Sequence, residues 1–239
     1  MNIANKSVLI TGANRGIGRA LVDEALRRGA SRVYAAARGP FQHDDKRATP
    51  LVLDVTDAAQ IARASGAVQN LDVLINNAGI AIYDDLSNPE VVEQHFAVNL
   101  FGTLKVTRAF LPQLVRARGA IVNNLSLAAI ASLPMIPAYS ISKAASSSMT
   151  QSLRALLKGQ GVTVHGVFLG PIDTDMNRGL EIPKAPVTVA AQGIFNGLEK
   201  GEEDIFPDPA SLPAADGWRG GITKGLEREF AAFVPPAAT

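Results

Sequence analysis

Ser7-Val8-Leu9-Ile10-Thr11-Gly12-Ala13-Asn14-Arg15-Gly16-Ile17-Gly18-Arg19-Ala20-Leu21-Val22-Asp23-Glu24-Ala25-Leu26 decides the architecture. Its first five residues form a short apolar run, apt for a parallel strand buried on both faces. Leu21, Val22, Ala25 and Leu26 then recur at helical spacing, and Gly29 is a natural helix stop. The glycine-rich piece therefore joins a strand to a helix. A helix N-terminus there offers free N–H groups and the positive end of a dipole to a pyrophosphate. The spacing is Gly-x-x-x-Gly-x-Gly, and an ordinary βα turn can also carry glycines.

Working outward, residues 32–38 read as a second strand ending in Ala37-Arg38. No acidic residue stands there to hold the adenosine ribose hydroxyls of NAD. Arg38, with Arg15 in the glycine-rich loop, instead suits a 2′-phosphate through forked hydrogen bonds. Either arginine alone could be a solvated surface residue. Residues 39–49 read as a polar loop, 50–53 as a strand closed by Asp54-Val55, and a helix starts with Asp57 as N-cap. Residues 71–75 form a strand running into Asn76-Asn77-Ala78-Gly79, and 89–111 a helix bent near 99–102. A strand over 119–126, a helix over 138–158 and a strand over 162–168 follow, then Gly170-Pro171-Ile172-Asp173-Thr174. A helix over 187–200, a short strand over 204–206 and a broken helix over 218–233 complete the pattern. We expect residues 176–187 to be a mobile substrate loop and 234–239 a loose tail. Six strands alternating with helices, with no linker or repeat, predict a single-domain α/β protein. Its sheet is doubly wound, parallel and Rossmann-like.

Composition narrows the function classes. The chain has 239 residues, 47% of them hydrophobic, and a net charge of +1, so no global field points to nucleic acid or membrane surfaces. With no cysteine there is no disulfide or thiolate chemistry. His43, His95 and His165 share no ligand spacing, and no metal site is expected. No apolar run reaches ~18 residues, so no membrane span is expected. The first residues lack the features of a signal peptide, and the expected location is the cytoplasm.

The chemistry sits in Ser126 to Lys143. Tyr139 and Lys143 are four apart on a helix, one above the other on one face. A free phenol titrates near ~10, and a neighbouring ammonium favours the phenolate. A downward shift of ~3 units would bring Tyr139 into the working range of a general acid/base. Ser126 ends an apolar run, at the strand end where open α/β sheets bind ligands. Tyr-x-x-x-Lys by itself also occurs on solvated helix faces.

Taken together, Thr11 to Gly18, Asp54-Val55, Asn76 to Gly79, Asn99, Ser126, Tyr139-x-x-x-Lys143 and Gly170 to Thr174 resemble the short-chain dehydrogenase/reductase family. The likeness spans about residues 6–206. It implies that Tyr139 exchanges a proton with the substrate oxygen and that Ser126 polarises that oxygen. Lys143 would lower the Tyr139 pKa and hold the nicotinamide ribose. Asn99 would bend its helix and anchor a water that relays protons to Lys143. Gly12, Asn14, Arg15, Gly16, Ile17 and Gly18 would line the pyrophosphate, with Arg15 and Arg38 selecting NADP (NADPH). Asp54 and Val55 would meet the adenine. Asn76, Ala78 and Gly79 would support the cofactor-side turn, and Gly170, Pro171, Ile172 and Thr174 the carboxamide. Asp54 and Thr174 have a plainer alternative, capping the helices that follow. Two departures stand out: Leu169-Gly170-Pro171 where many members have Pro-Gly, and Asn124-Leu125 before Ser126. The implied assembly is a homodimer or homotetramer, through the helices at 89–116 and 138–158.

Around Ser126 and Tyr139 the residues are apolar, among them Ala128, Ile130, Leu133 and Ile136, with Ile80, Ile82 and Tyr83 able to join them. Ser126, Ala128, Ile136 and Tyr139 are the expected substrate contacts, although several of these side chains could simply be core. No Arg or Lys lies in these stretches, which favours an uncharged hydrophobic ketone or aldehyde. A cofactor-binding redox regulator without turnover is the competing class, and an NAD-linked alcohol dehydrogenase a further one.

Overall fold

The computed structural model describes residues 1–39 and 41–234. Seven parallel strands form one sheet: β1 (Ser7–Thr11), β2 (Arg32–Ala37), β3 (Ala48–Val52), β4 (Val73–Asn76), β5 (Ala120–Asn124), β6 (Thr163–Val167) and β7 (Asp204–Ile205). Their spatial order is β3-β2-β1-β4-β5-β6-β7. The chain winds outward from β1 to β3, then returns to lay β4 against β1, with Val8, Leu9 and Ile10 opposite Val73, Leu74 and Ile75. The helices are α1 (Gly16–Arg27), α2 (Ala58–Ala67), α3 (Pro89–His95), α4 (Thr103–Ala117), α5 (Pro137–Lys158), α6 (Val187–Lys200), α7 (Leu212–Arg219) and α8 (Ile222–Ala231).

Strand alternation sorts the core. Val8 and Ile10 of β1 pack with α1 and α6 residues such as Leu21, Ala190 and Ile194. Leu9 points to the other face, with Ile61 of α2, Val106 and Phe110 of α4 and Leu157 of α5. The doubly wound α/β class read from the sequence is the observed one.

Four local differences have physical reasons. First, β3 begins at Ala48, before Pro50. A proline without an N–H is tolerated because β3 is an edge strand. Second, the bend expected near Asn99 is a π-helical stretch, Phe96–Gly102. A Cβ on Gly102 would come within 2.7 Å of Val55 Cγ2, so this helix passes the β3–α2 loop at glycine distance. Third, a helix, α7, starts at Leu212, with Pro213 in its first turn. Fourth, Phe41 is buried in the otherwise polar 39–47 loop, under the Arg19 guanidinium at 5.0 Å. Residues 176–187 are irregular, joined to the body by a bridge of Ala185 with Ile172. Of the expected tail, residues 235–239 lie outside the described residues. Among the described residues no helix is long and apolar enough to cross a membrane, and no cluster of His, Asp and Glu has metal-binding geometry.

Candidate active site

The strand order reverses between β1 and β4, where open α/β sheets form a ligand crevice at the carboxyl ends of the strands. A cavity of about 770 Å³ opens there, running from Arg38 and Asp54 past the glycine-rich loop to Tyr139 and Lys143. The loop is shaped by close approach. Gly12 and Gly16 have φ of +66° and +53°, and a Cβ on Gly18 would lie 2.0 Å from the Gly12 carbonyl oxygen. Thr11 laces this loop to the end of β4: its Oγ1 accepts from the N–H groups of Asn77 (2.9 Å) and Ala78 (3.0 Å). Asn77 Nδ2 donates back to the Thr11 carbonyl at 2.9 Å. No side chain caps the N-terminus of α1 and its first turn has no acid, so that end is left for an anion.

At the far end, Arg15 and Arg38 flank the cleft. Arg15 reaches Asp175 at 3.4 Å with both side chains largely exposed. Asp54 accepts from the Thr56 N–H (2.8 Å) and hydroxyl (2.6 Å). The Thr56 hydroxyl, ahead of the opposing effect of burial, holds the Asp54 carboxyl below its ordinary range, and Arg38 adds to this. The cap of α2 is Asp57, whose carboxylate accepts from Ala59 and Gln60.

At the inner end, the Ser126 hydroxyl stands beside the Tyr139 phenol and favours its ionised form. Ser126 Oγ accepts from the Ala128 N–H at 3.1 Å, which leaves its own proton to be donated toward the phenol or a bound oxygen. Lys143 is buried, and Nζ donates to the Asn124 carbonyl at 2.6 Å while lying 5.7 Å from the Tyr139 ring centroid. The expected lowering of the Tyr139 pKa by Lys143 is corrected here. Burial raises the phenol above its ordinary value, offset only in part by Ser126. Burial likewise pushes Lys143 down to about 8. The ammonium is engaged by the Asn124 carbonyl, and burial of the phenol sets the direction of its shift.

The chain resembles known proteins over most of its length. The family model for short chain dehydrogenase matches residues 6–184. The chain belongs to the short-chain dehydrogenase/reductase family. It is 34% identical over 250 residues to short-chain dehydrogenase ptmH of Penicillium ochrochloron, covering 96% of this chain and 92% of that one. It is 31% identical over 226 residues to the NADPH-dependent 1-acyldihydroxyacetone phosphate reductase of Saccharomyces cerevisiae, covering 87% and 76%. The crystal structure of a short chain dehydrogenase from Burkholderia cenocepacia in complex with NADP superposes with a TM-score of 0.88 at 35% identity, over 98% of this chain and all of that one.

In this short-chain dehydrogenase/reductase, most expected site residues meet in the one cleft. Gly12, Asn14, Arg15, Gly16, Ile17, Gly18, Arg38, Asp54, Val55, Ala78, Gly79, Tyr139, Lys143 and Thr174 all line it. Asn76 does not. Its side chain turns to the α4 side of the sheet, donating to Thr107 Oγ1 (3.0 Å) and Asn123 Oδ1 (2.9 Å). Asn77, passed over in the sequence, faces the cleft instead. Asn99 sits behind the cleft wall, bonded to both backbone groups of Ile80 and, through Nδ2, to Ser142 Oγ at 2.9 Å. Its carbonyl accepts from the Thr103 and Ser146 hydroxyls.

Gly170, Pro171 and Ile172 also lie off the lining. The departure at Leu169-Gly170-Pro171 is explained by Asp208, fully buried, whose Oδ2 accepts from the Gly170 N–H at 2.9 Å. A Cβ on Gly170 would fall 2.6 Å from Asp208 Oδ1. The departure at Asn124-Leu125 is likewise accommodated: Asn124 Nδ2 donates to Asn77 Oδ1 at 2.8 Å, and Leu125 packs with Phe168 and Phe206. Of the expected substrate contacts, Ser126 stands beside Tyr139 off the lining, Ala128 is buried, Ile136 precedes α5, and Tyr139 lines the cleft. Its apolar walls are Ile80, Ala81, Ile82, Val98, Leu125 and Met176.

Proposed function

We infer that this chain reduces an uncharged, hydrophobic ketone or aldehyde to its alcohol with NADPH, reversibly, with Tyr139 as general acid/base. The observation that carries the reading is the Tyr139 phenol, with Ser126 beside it and Lys143 against its ring, at the inner end of a cleft whose outer end holds Arg15 and Arg38. The residues fit a dinucleotide: an uncapped helix N-terminus, a loop closed to Cβ atoms, and two guanidinium groups with no acid at the end of β2. The NADP complex of the Burkholderia relative and the NADPH dependence of the yeast relative support the same cofactor.

When bound, the nicotinamide supplies the hydride. The chain's own residues handle the proton. Tyr139, its pKa raised, keeps its proton at neutral pH and donates it to the substrate oxygen. Ser126 donates its remaining hydrogen to that oxygen, or to the phenolate left behind. Lys143, titrating at about 8, is largely charged at neutral pH and stabilises the phenolate as it forms. The apolar walls place an uncharged substrate, and residues 176–187, whose Met176 lines the cleft, act as a mobile gate. Assembly as a homodimer or homotetramer through α4 and α5 is part of the proposal, read by light scattering. The test of function is NADPH oxidation against a panel of aryl and alkyl ketones. Preference for charged acyl substrates, or tight NADPH binding without turnover, would overturn the reading.

A further inference from the structure

His95 closes α3, is fully buried, and has no part in the proton chemistry above. Its ring nitrogens have partners of fixed character. The Val91 carbonyl, which only accepts, lies 2.7 Å from Nδ1. The Ile82 N–H, which only donates, points at Nε2 from 3.1 Å. These partners set the tautomer, with the proton on Nδ1 and the lone pair on Nε2. Four residues on, Asn99 Oδ1 accepts from the Ile80 N–H at 2.9 Å and its Nδ2 donates to the Ile80 carbonyl at 3.0 Å. His95 and Asn99 thus bracket the start of the π-helical stretch, and each holds backbone of the same segment two residues from the other. Ile80 and Ile82, the residues so held, both line the cleft. The His95 ring also meets the Tyr139 ring edge-on, with centroids 6.4 Å apart and planes at 71°.

We propose that His95 is a positioning residue with two separable duties. Its Nε2 holds the Ile80–Ile82 wall of the cleft in place for substrate, and its ring edge holds Tyr139 in the orientation that faces Ser126. The kinetic consequences rest on the reductase reading; the backbone hold on Ile82 does not.

Two variants divide the duties. H95F keeps an aromatic edge against Tyr139 and removes the acceptor for Ile82. H95Q supplies an amide oxygen near the Nε2 position and removes the ring. For H95F, KM for the ketone rises roughly fivefold or more, as for one buried N–H left without an acceptor, while kcat stays within about twofold. For H95Q, KM stays near the wild-type value and kcat falls. Equal losses of kcat and KM in both variants, or an unchanged KM in folded H95F, would overturn the proposal. Hydrogen exchange at the Ile82 amide gives a readout free of turnover: slow in wild type and H95Q, fast in H95F. Should H95F not fold, H95N replaces it in the exchange measurement alone, where it retains the Val91 bond, stops short of Ile82 and should leave that amide fast. A wild-type protein that turns over no ketone yet shows this exchange pattern loses the reductase reading and keeps the hold on the wall; fast Ile82 exchange in wild type does the reverse.

Discussion

In the proposed reading cofactor choice turns on two arginines, and the size of the preference follows from their exposure. Arg15 and Arg38 lie at the solvent-facing end of the cleft, and no acid at the end of β2 competes for a ribose. The Arg15 side chain is 69% exposed and its partner Asp175 50% exposed, across 3.4 Å. Such a pair is worth at most ~1 kcal/mol, so Arg15 exchanges it for a phosphate at little cost. A charge-assisted guanidinium–phosphate hydrogen bond contributes ~1.5–3 kcal/mol. With both arginines near water the lower figure applies, close to tenfold per residue. Arg15→Ala and Arg38→Ala should each lower the NADPH-to-NADH ratio of kcat/KM about tenfold, chiefly through the NADPH KM. On the proposed reading both groups meet one 2′-phosphate, so the double variant should lose less than the product of the two. The wild-type ratio should also narrow as salt is raised, because exposed charges are screened. The assay is initial-rate kinetics with each cofactor. A ratio within twofold of wild type in the double variant would refute the assignment of these arginines to a 2′-phosphate.

Further outcomes follow from the same geometry. Lys143 has its pKa depressed from 10.5 to about 8 by burial, so below pH 8 the folded protein carries the full penalty of an ammionium held out of water. Between about 8 and 10.5 the unfolded chain binds the extra proton, and the Lys143 contribution to stability rises with pH. Lys143→Met should therefore abolish activity yet raise stability at pH 7 by about 1–3 kcal/mol, after loss of the bond to the Asn124 carbonyl; a destabilised Lys143→Met in urea melts would contradict this. Asp208→Ala strips acceptors from the N–H groups of Gly170, Ala210 and Ser211 and from the Ser211 hydroxyl, and should cost about 3–5 kcal/mol in chemical denaturation. Gly18→Ala drives a methyl onto the Gly12 carbonyl and should abolish NADPH binding in fluorescence titrations.

Much of this was legible in the chain because local signals agreed. The apolar run at Ser7–Thr11, the glycines after it and the helical spacing of Leu21, Val22 and Ala25 all point to one βα unit, and the structure builds it. Other features depend on contacts that a linear reading lacks. Asn76 and Asn77 are neighbours of the same type, and strand alternation sends them to opposite faces; only the position of β4 in the sheet says which one meets the cleft. Pro50 obscured the start of β3, because nothing local marks an edge strand. The spacing of Tyr139 and Lys143 placed them together correctly, but not the sign of the phenol's shift, which follows from burial. His95 looked like one more helix residue, since its partners Ile82 and Tyr139 come from other elements.

The most direct test is NADPH oxidation at saturating cofactor with a hydrophobic ketone, wild type beside Tyr139→Phe. The account predicts steady turnover by wild type and a loss of kcat of about 10²-fold or more in Tyr139→Phe, with NADPH affinity kept. Comparable turnover by Tyr139→Phe, or tight NADPH binding by a wild type that reduces nothing in a broad panel, would contradict it.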